Sequence, residues 1–456
     1  MKIKRFIMLF LILGIFSSCT KFLDVQPESA ISTSKFYQNT EEVNNGVIAC
    51  YDGLQNLYGI DYQLTGIRGE NSKAGLSLGV YELIEHFGDG PSSNTVAEQY
   101  WSYAYNTIFR ANTVLANIQH VTDPDLKQQY KGEALFIRSL CYFNMVRLFG
   151  DVPLVTKVIT PSEQSAFART PSNIVYDTIV SDLKMAANDL PVSYSSSNDL
   201  GRATKGAALG ILAKVYLTLH QYSDAETLTQ ELMTSPFSYS LMPNFNDVFY
   251  QEMNNEILFA VRYSTAAGEG QYFSSEMLPS GSHLDGLFPM PSLLSLFSPN
   301  DKRFSTTFYA TKGDTVCGKY LSTDPPGSAG NDWVVLRYAD VLLMYAEASN
   351  QVHNGPTQPA IDAINAIRTR AGLTTYTVND FNQSTFSTAI YNESRRELAF
   401  EDHNWFTVLR MGIADSVMTA EGQREGFTFE SYRKLFPIPQ TEIDASQGKL
   451  SQNTGY

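Results

Sequence analysis

"GEALFIRSLCYFNMVRLFGDVPL", residues Gly132 to Leu154, decides the reading of this chain. Its apolar residues recur at spacings of three and four, the mark of a helix packed on neighbours. Gly150 followed by Pro153 ends it in the manner of a glycine C-cap with a proline beyond. Cys141, inside the apolar pattern, is expected to be a small buried hydrophobe. Working outward, Val43 to Tyr58 and Glu98 to Ile118 show the same spacing, and Ser172 to Leu190 and Thr204 to His220 continue it. The chain is mostly α.

The segment from Gly201 onward fits the tetratricopeptide template. With Leu212 and Ala213 as its paired Leu and small residue, Leu209 takes the Trp-like position, Tyr216 the tyrosine position and Ala225 the small position of the second helix. Tyr222 falls where an aromatic is common, while Thr229 and Leu232 fit less well. A degenerate copy runs from Tyr338 to Arg370, where Ala346, Ala360, Ile364 and Ile367 fit after a two-residue insertion. Helical pairs of this kind form a scaffold whose small residues let helices approach closely. Between the helical blocks lie Gly59 to Thr95 and Pro236 to Asp332, rich in Gly, Ser, Pro, Asn, Asp and Tyr. The second contains a strand-like run, "EILFAVRY", and glycine turns in "AAGEGQ" and "PPGSAGN". Irregular stretches on a rigid frame are where binding surfaces sit.

The beginning of the chain is an address. Lys2, Lys4 and Arg5 precede an apolar run from Phe6 to Phe16, then Ser17, Ser18 and Cys19. This is the layout of a secretory signal, too short to span a bilayer. Ending on Cys is the further pattern of a bacterial lipoprotein, whose thiol is alkylated by diacylglycerol, and acyl chains on Cys19 would anchor the chain to a membrane. Phe16 departs from the small aliphatic usual at that place, and ordinary secretion is the alternative. Residues 1–18 are therefore expected to be a signal peptide and 19–34 the lipidated Cys and a polar spacer.

Composition narrows the function. The net charge is -14, or -17 without Lys2, Lys4 and Arg5, which excludes a nucleic-acid partner because neutralising phosphates takes clustered Lys and Arg. Cys50, Cys141 and Cys317 are widely spaced with no CxxC, so neither a disulfide framework nor a zinc site is expected. His86, His120, His220, His283, His353 and His403 lack metal-ligand spacing and read as surface or capping residues. "GLSLG", Gly75 to Gly79, matches a nucleophile elbow formally, but the preceding "RGENSKA" is not expected to form the strand that such an elbow needs, so Ser77 is not read as catalytic. Glycosidase carboxylates have no fixed sequence spacing, so the 47 acidic residues leave that question open. The 26 Tyr and 27 Phe exceed what a core is expected to use.

On the helix from Gly132 to Leu154 the chain resembles the SusD/RagB family of outer-membrane nutrient-binding lipoproteins. "CTKFLDVQP" is similar to the family's start, and "GRATKGAALGILAKVYLTL" (Gly201 to Leu219) to its central repeat helix. "LRYADVLLMYAEA" (Leu336 to Ala348) with "AINAIRTRAGL" (Ala363 to Leu373) resembles its later repeat. "ESRRELAFEDHNWF", "LFPIPQTEID" and the final "QNTGY" resemble its C-terminal signature. Asp402, Asn404 and Thr407 stand where the family usually has Gly, Arg and Asp, which puts in doubt an ion pair at a partly exposed helix end; Arg410 is kept. Thr454 likewise replaces a Pro.

The resemblance implies a mostly helical fold of about four tetratricopeptide-like pairs with an irregular, loop-rich ligand-binding portion containing a few short strands, residues 35–456 forming one unit. It implies a surface lipoprotein that captures oligosaccharides, or peptides in some branches, and passes them to a SusC-like TonB-dependent transporter in the outer membrane of Bacteroidota-type bacteria. No catalytic residue, cofactor or metal is implied. Arg138, Tyr142, Arg147, Tyr216, Arg337, Glu347 and Glu397, inside the family blocks, are expected to pack and pair the helices, and Trp101 and Trp405 to pack within them. Ligand contacts must come from the irregular stretches, because sugars are held by aromatic faces and a few polar groups. Arg68, Asn71, Tyr81, Phe87 and Asp89 are the candidates in the first stretch, and Tyr263, Tyr272, Phe273 and His283 in the second. A surface glycosidase and a purely structural lid on the transporter are the other classes considered.

Overall fold

The computed structural model describes residues 36–75, 79–160, 162–279, 284–311 and 313–456; Cys19, Ser77 and His283 lie outside them. Six long helices come first: α1 (Thr40–Asp61), α2 (Thr95–Asn117), α3 (Pro124–Phe149), α4 (Ser172–Asp189), α5 (Lys205–Thr218) and α6 (Tyr222–Leu232). A long excursion follows, then α7 (Tyr338–Val352), α8 (Gln358–Arg370), α9 (Gln383–Glu397), α10 (Asn404–Arg410) and α11 (Ala414–Glu425). Local chemistry starts and stops them. Side-chain oxygens of Asn39, Asn94, Asp123, Thr204 and Thr357 accept from first-turn N–H groups, and Pro124 occupies the first turn of α3. Gly150 closes α3 at φ +74°, a conformation that a side chain would strain.

Successive helices pack in a running stack, α1 on α2, α2 on α3 and so on to α6, which meets α7; α7 in turn meets α8 and α9. Taken pairwise, α1/α2, α3/α4, α5/α6 and α7/α8 are the four helical pairs. The quoted stretch is the centre: every residue from Gly132 to Val146 is buried, as are Gly206–Leu217 of α5 and Ala339–Asn350 of α7. Helices covered all round must pair their polar groups internally. Arg138 meets Asp182 of α4 at 2.7 Å and Asn112 of α2 at 2.8 Å, and Glu133 accepts from Arg202 and from the Tyr51 hydroxyl at 2.7 Å. Lys214 pairs with Asp340, and Arg410 grips Glu347 with two bonds. The Arg147 guanidinium lies between the rings of Phe143 and Phe406. These are the helix-pairing roles expected of the block residues.

The excursion carries most of the strands. In chain order these are β1 (Ser72–Ala74), β2 (Ile257–Val261), β3 (Leu287–Pro289), β4 (Phe308–Thr311), β5 (Asp314–Cys317) and β6 (Trp333–Arg337), joined as antiparallel ribbons β1–β3, β2–β6 and β4–β5. β1 places a three-residue strand at the end of "RGENSKA", but not the kind that an elbow serine needs. The Glu85 carboxylate accepts from Ala74 N, and Gly75 N bonds to the carbonyls of residues 284 and 286, holding the segment extended against β3. It is the edge of a two-stranded antiparallel ribbon, unlike the buried parallel strand that presents an elbow serine.

Where β6 enters α7, Arg337 joins three carboxylates, Glu256 and Glu397 at 2.6 Å and Glu401 at 2.7 Å. Arg303 adds Asp301, Glu393 and Glu397, Arg370 adds Glu256 and Glu397, and Lys319 adds Glu401 at 2.6 Å. All of these side chains are buried, so the network ties the excursion to α8 and α9. Two further expectations are corrected nearby. Asp402 and Thr407 are buried, not partly exposed, because α10 packs under the turn that ends α1. His403 is no surface residue: its Nδ1 lies 3.1 Å from Lys214 Nζ, and burial drives its pKa down to about 3, so the ring is neutral.

Candidate functional site

Most of the aromatic excess is core. Among the described residues the aromatics most open to solvent are Tyr272 at 61%, Phe109 and Phe304 at 45%, Tyr309 at 42% and Tyr250 at 40%. Tyr250 and Tyr309 face the same groove, of about 740 Å³, built on the outer side of the β2–β6 ribbon. Ile257, Ala260 and Val334 make its apolar floor, while Arg262, Glu252, Asp324 and Asn331 bring polar groups to its walls. An apolar floor with a few convergent polar groups is the usual form of a small-ligand site. A second cavity of about 590 Å³, between α2 and residues 442–450, is lined chiefly by apolar side chains such as Trp101 and Phe109.

Tyr250 is fixed before any ligand arrives. Its hydroxyl donates to Gly318 O at 2.9 Å and accepts from Leu321 N at 3.1 Å, so the ring cannot swing away. Tyr309 stands on β4, where Phe308 packs inward on Phe297 and Phe400 while Tyr309 and Ala310 are left exposed. Arg262 is clamped between Glu252 and Asp332, the latter 3.4 Å from its Nε. Asp332 also accepts from Tyr263 N at 3.1 Å, and burial pushes its carboxyl up to about 6 despite the neighbouring guanidinium. Ser322 donates to Asp324 at 2.7 Å and sets that carboxylate on the rim.

The candidates from the sequence divide by depth. Tyr272 is open, its ring lying against Gly327, whose φ of +77° and close approach leave no room for a Cβ. Tyr263 lines the groove, but it is 5% exposed and its hydroxyl is spent on Gln55 O at 2.7 Å. Tyr81 is half-buried and donates to Gln63 at 3.3 Å, with burial and then Glu276 pushing its phenol up to about 12. The remaining described candidates are interior, a correction to their reading as contact residues. Phe273 is wholly buried among Trp333, Tyr320 and Tyr263, forming the aromatic bed beneath the groove. Arg68 and Asp89 pair at 2.6 Å, fully buried, with the guanidinium over Phe87 and Phe436. Phe87 packs on Phe429 and Trp405, and Asn71 accepts from Arg395 at 2.7 Å. The first stretch thus folds toward the C-terminal module. The second builds the groove, through Tyr250, Tyr309, Arg262, Asp324 and Asn331, which sequence reasoning did not single out.

A family model described as "SusD family" matches residues 263–456, and one described as "Starch-binding associating with outer membrane" matches residues 21–217. SusD-like protein P25 of Formosa agariphila is 27% identical with all of both chains covered, and SusD-like protein P38 of the same organism is 29% identical with the same coverage. Among solved structures, a laminarin binding SusD-like protein superposes with a TM-score of 0.79 at 25% identity, covering 92% of this chain and all of that one. The surface glycan-binding protein A of Bacteroides thetaiotaomicron in complex with laminarihexaose gives 0.76 at 22% identity, covering 91% and 99%, a likeness of fold.

Proposed function

This chain belongs to the SusD family, and from that premise we propose that it is a cell-surface binding protein that captures oligosaccharides in the groove of Tyr250 and Tyr309 and hands them to a SusC-like TonB-dependent transporter. The observation that carries the reading is the pinned ring of Tyr250 beside Tyr309 and the polar wall of Arg262, Asp324 and Asn331. A locked aromatic face stacks on the C–H side of a pyranose with little loss of side-chain entropy, and fixed polar groups take the hydroxyls. Tyr272, open to solvent on the loop after β2, is a further candidate contact, and the laminarin binding of a solved relative makes β-glucan the first probe. The reading is one of capture without catalysis.

Residues 35–456 are proposed to act as one unit, since the main apolar core takes residues from Tyr37 to Leu450, with two smaller clusters around α7, α8 and α9. The "LFLILGIFSSC" run supports a lipid anchor on Cys19. Cys19→Ala should shift the protein out of the membrane fraction, and its retention there would count against the anchor.

Calorimetry with laminarihexaose and a panel of other oligosaccharides tests the groove. Removing one stacking ring, in Tyr250→Ala or Tyr309→Ala, should weaken binding about tenfold, equivalent to roughly 1.4 kcal/mol. Tyr250→Phe should lose less, keeping the face but freeing the ring. Unchanged affinity in both alanine variants would remove the groove as the site.

A further inference from the structure

The groove's charge names the class of glycan, an inference that rests on the glycan-binding reading above. Among the described residues its charged lining is Glu252, Asp324 and Asp332 against Arg262. The single guanidinium is already spent, its Nη2 on Glu252 and its Nε toward Asp332, while its backbone carbonyl accepts from Gln55 at 2.8 Å. Glu252 and Asp324 are exposed and keep oxygens turned to solvent. Beyond Arg262 lies a smaller cavity of about 290 Å³, lined by Asp52, Glu269 and Arg202. There Arg202 is engaged by Glu133 and Asp199, and Asp52 holds Arg110, so the cations beside this cavity are already paired. Carboxylates accept hydrogen bonds and donate none. A partner in this groove must therefore offer donors and bring no negative charge of its own.

We infer that the groove selects uncharged, hydroxyl-rich oligosaccharides and rejects sulfated and uronic ones. A polyanion would need clustered Lys or Arg free to pair with it, and would approach two exposed carboxylates within a Debye length, where their repulsion is strongest at low salt.

Paired calorimetric titrations test this with the purified protein at low and at physiological salt. One panel holds neutral oligosaccharides of laminarin, xylan, mannan and starch. The other holds their anionic counterparts, sulfated laminarihexaose, oligoalginate and oligogalacturonate. Binding is expected in the neutral panel, nearly independent of salt, with the sulfated form of any binder at least tenfold weaker. Glu252→Gln with Asp324→Asn should narrow that gap at low salt, and a gap that does not move would locate the discrimination elsewhere and overturn the inference. Binding of the anionic panel while the neutral panel is silent would overturn the charge selection and leave glycan capture standing. Binding of neither panel, or of a basic peptide instead, would overturn both.

Discussion

Arg337→Met should unfold at markedly lower denaturant than the parent, a loss of about 3–5 kcal/mol. Methionine roughly fills the volume, so the deficit is electrostatic. Glu256, Glu397 and Glu401 would each lose a partner within 2.7 Å in a region where all of them are shielded from water. Arg303, Arg370 and Lys319 remain and cover part of the deficit, which keeps the loss near the cost of one broken buried pair instead of three. The pH profile adds a signed test. Burial alone would raise the Glu397 carboxyl, but Arg370, Arg337 and Arg303 outweigh it and hold it well below the ordinary glutamate range. A carboxylate so depressed contributes stability that is present above its unfolded pKa, near 4.3, and is lost as pH falls toward the folded value. Acid sensitivity below about pH 4.5 should therefore be steep in the parent and shallower in Arg337→Met. A change under about 1 kcal/mol, the size of a surface pair, would mean that the network relaxes freely around the substitution.

The second large effect runs the other way: Asp402→Asn should stabilise the protein, and more so at pH 8 than at pH 5. Asp402 is buried with neither carboxyl oxygen hydrogen-bonded, and Asp61, also buried, has an unpartnered oxygen as well. Burial, then the charges of Asp61 and Glu401, hold the Asp402 carboxyl well above its usual range, and burial lifts Asp61 to about 6. Below about pH 4 both the folded and the unfolded chain keep these protons, so the pair is neutral to stability. As pH rises through about 6 the unfolded chain has released protons that the folded chain retains, and the pair's contribution becomes progressively unfavourable. Removing the charge should recover about 1–3 kcal/mol at alkaline pH. Asp402→Gly should gain further, because the backbone there sits at φ +60°, where Gly is at ease and Asp is strained. Thermal melts of both variants at the two pH values decide it. A gain that does not grow with pH would show that backbone strain, and not the carboxyl, is the burden.

The frame was legible because its rules are local. Spacings of three and four and the stop at Gly150 each act within a turn or two, and so did the pairing of α5 with α6. Depth in the irregular stretches is not local. Arg68 and Asp89 have the composition of a solvent-facing loop, and only the arrival of Phe436, more than three hundred residues later, buries them. Tyr250 failed to stand out for the same reason. What makes it a rigid platform is Gly318 and Leu321, the first of them 68 residues further on. Asp402 was visible as a departure from a glycine position, but its facing Asp61 belongs to the far end of α1.

The β2–β6 ribbon has an evolutionary consequence. Part of the groove's lining, from Arg262 to Asp332, lies on a segment that leaves the frame along β2 and returns along β6, where Val261 and Trp333 sit opposite each other. A chain whose ends are already clasped can lengthen or shorten between them at an entropic cost that grows only logarithmically with length. The intervening stretch can thus change length in its turns, but not be exchanged whole: Arg303 and Lys319 within it are the buried partners of Glu393, Glu397 and Glu401, so any replacement must bring back two cations at those places.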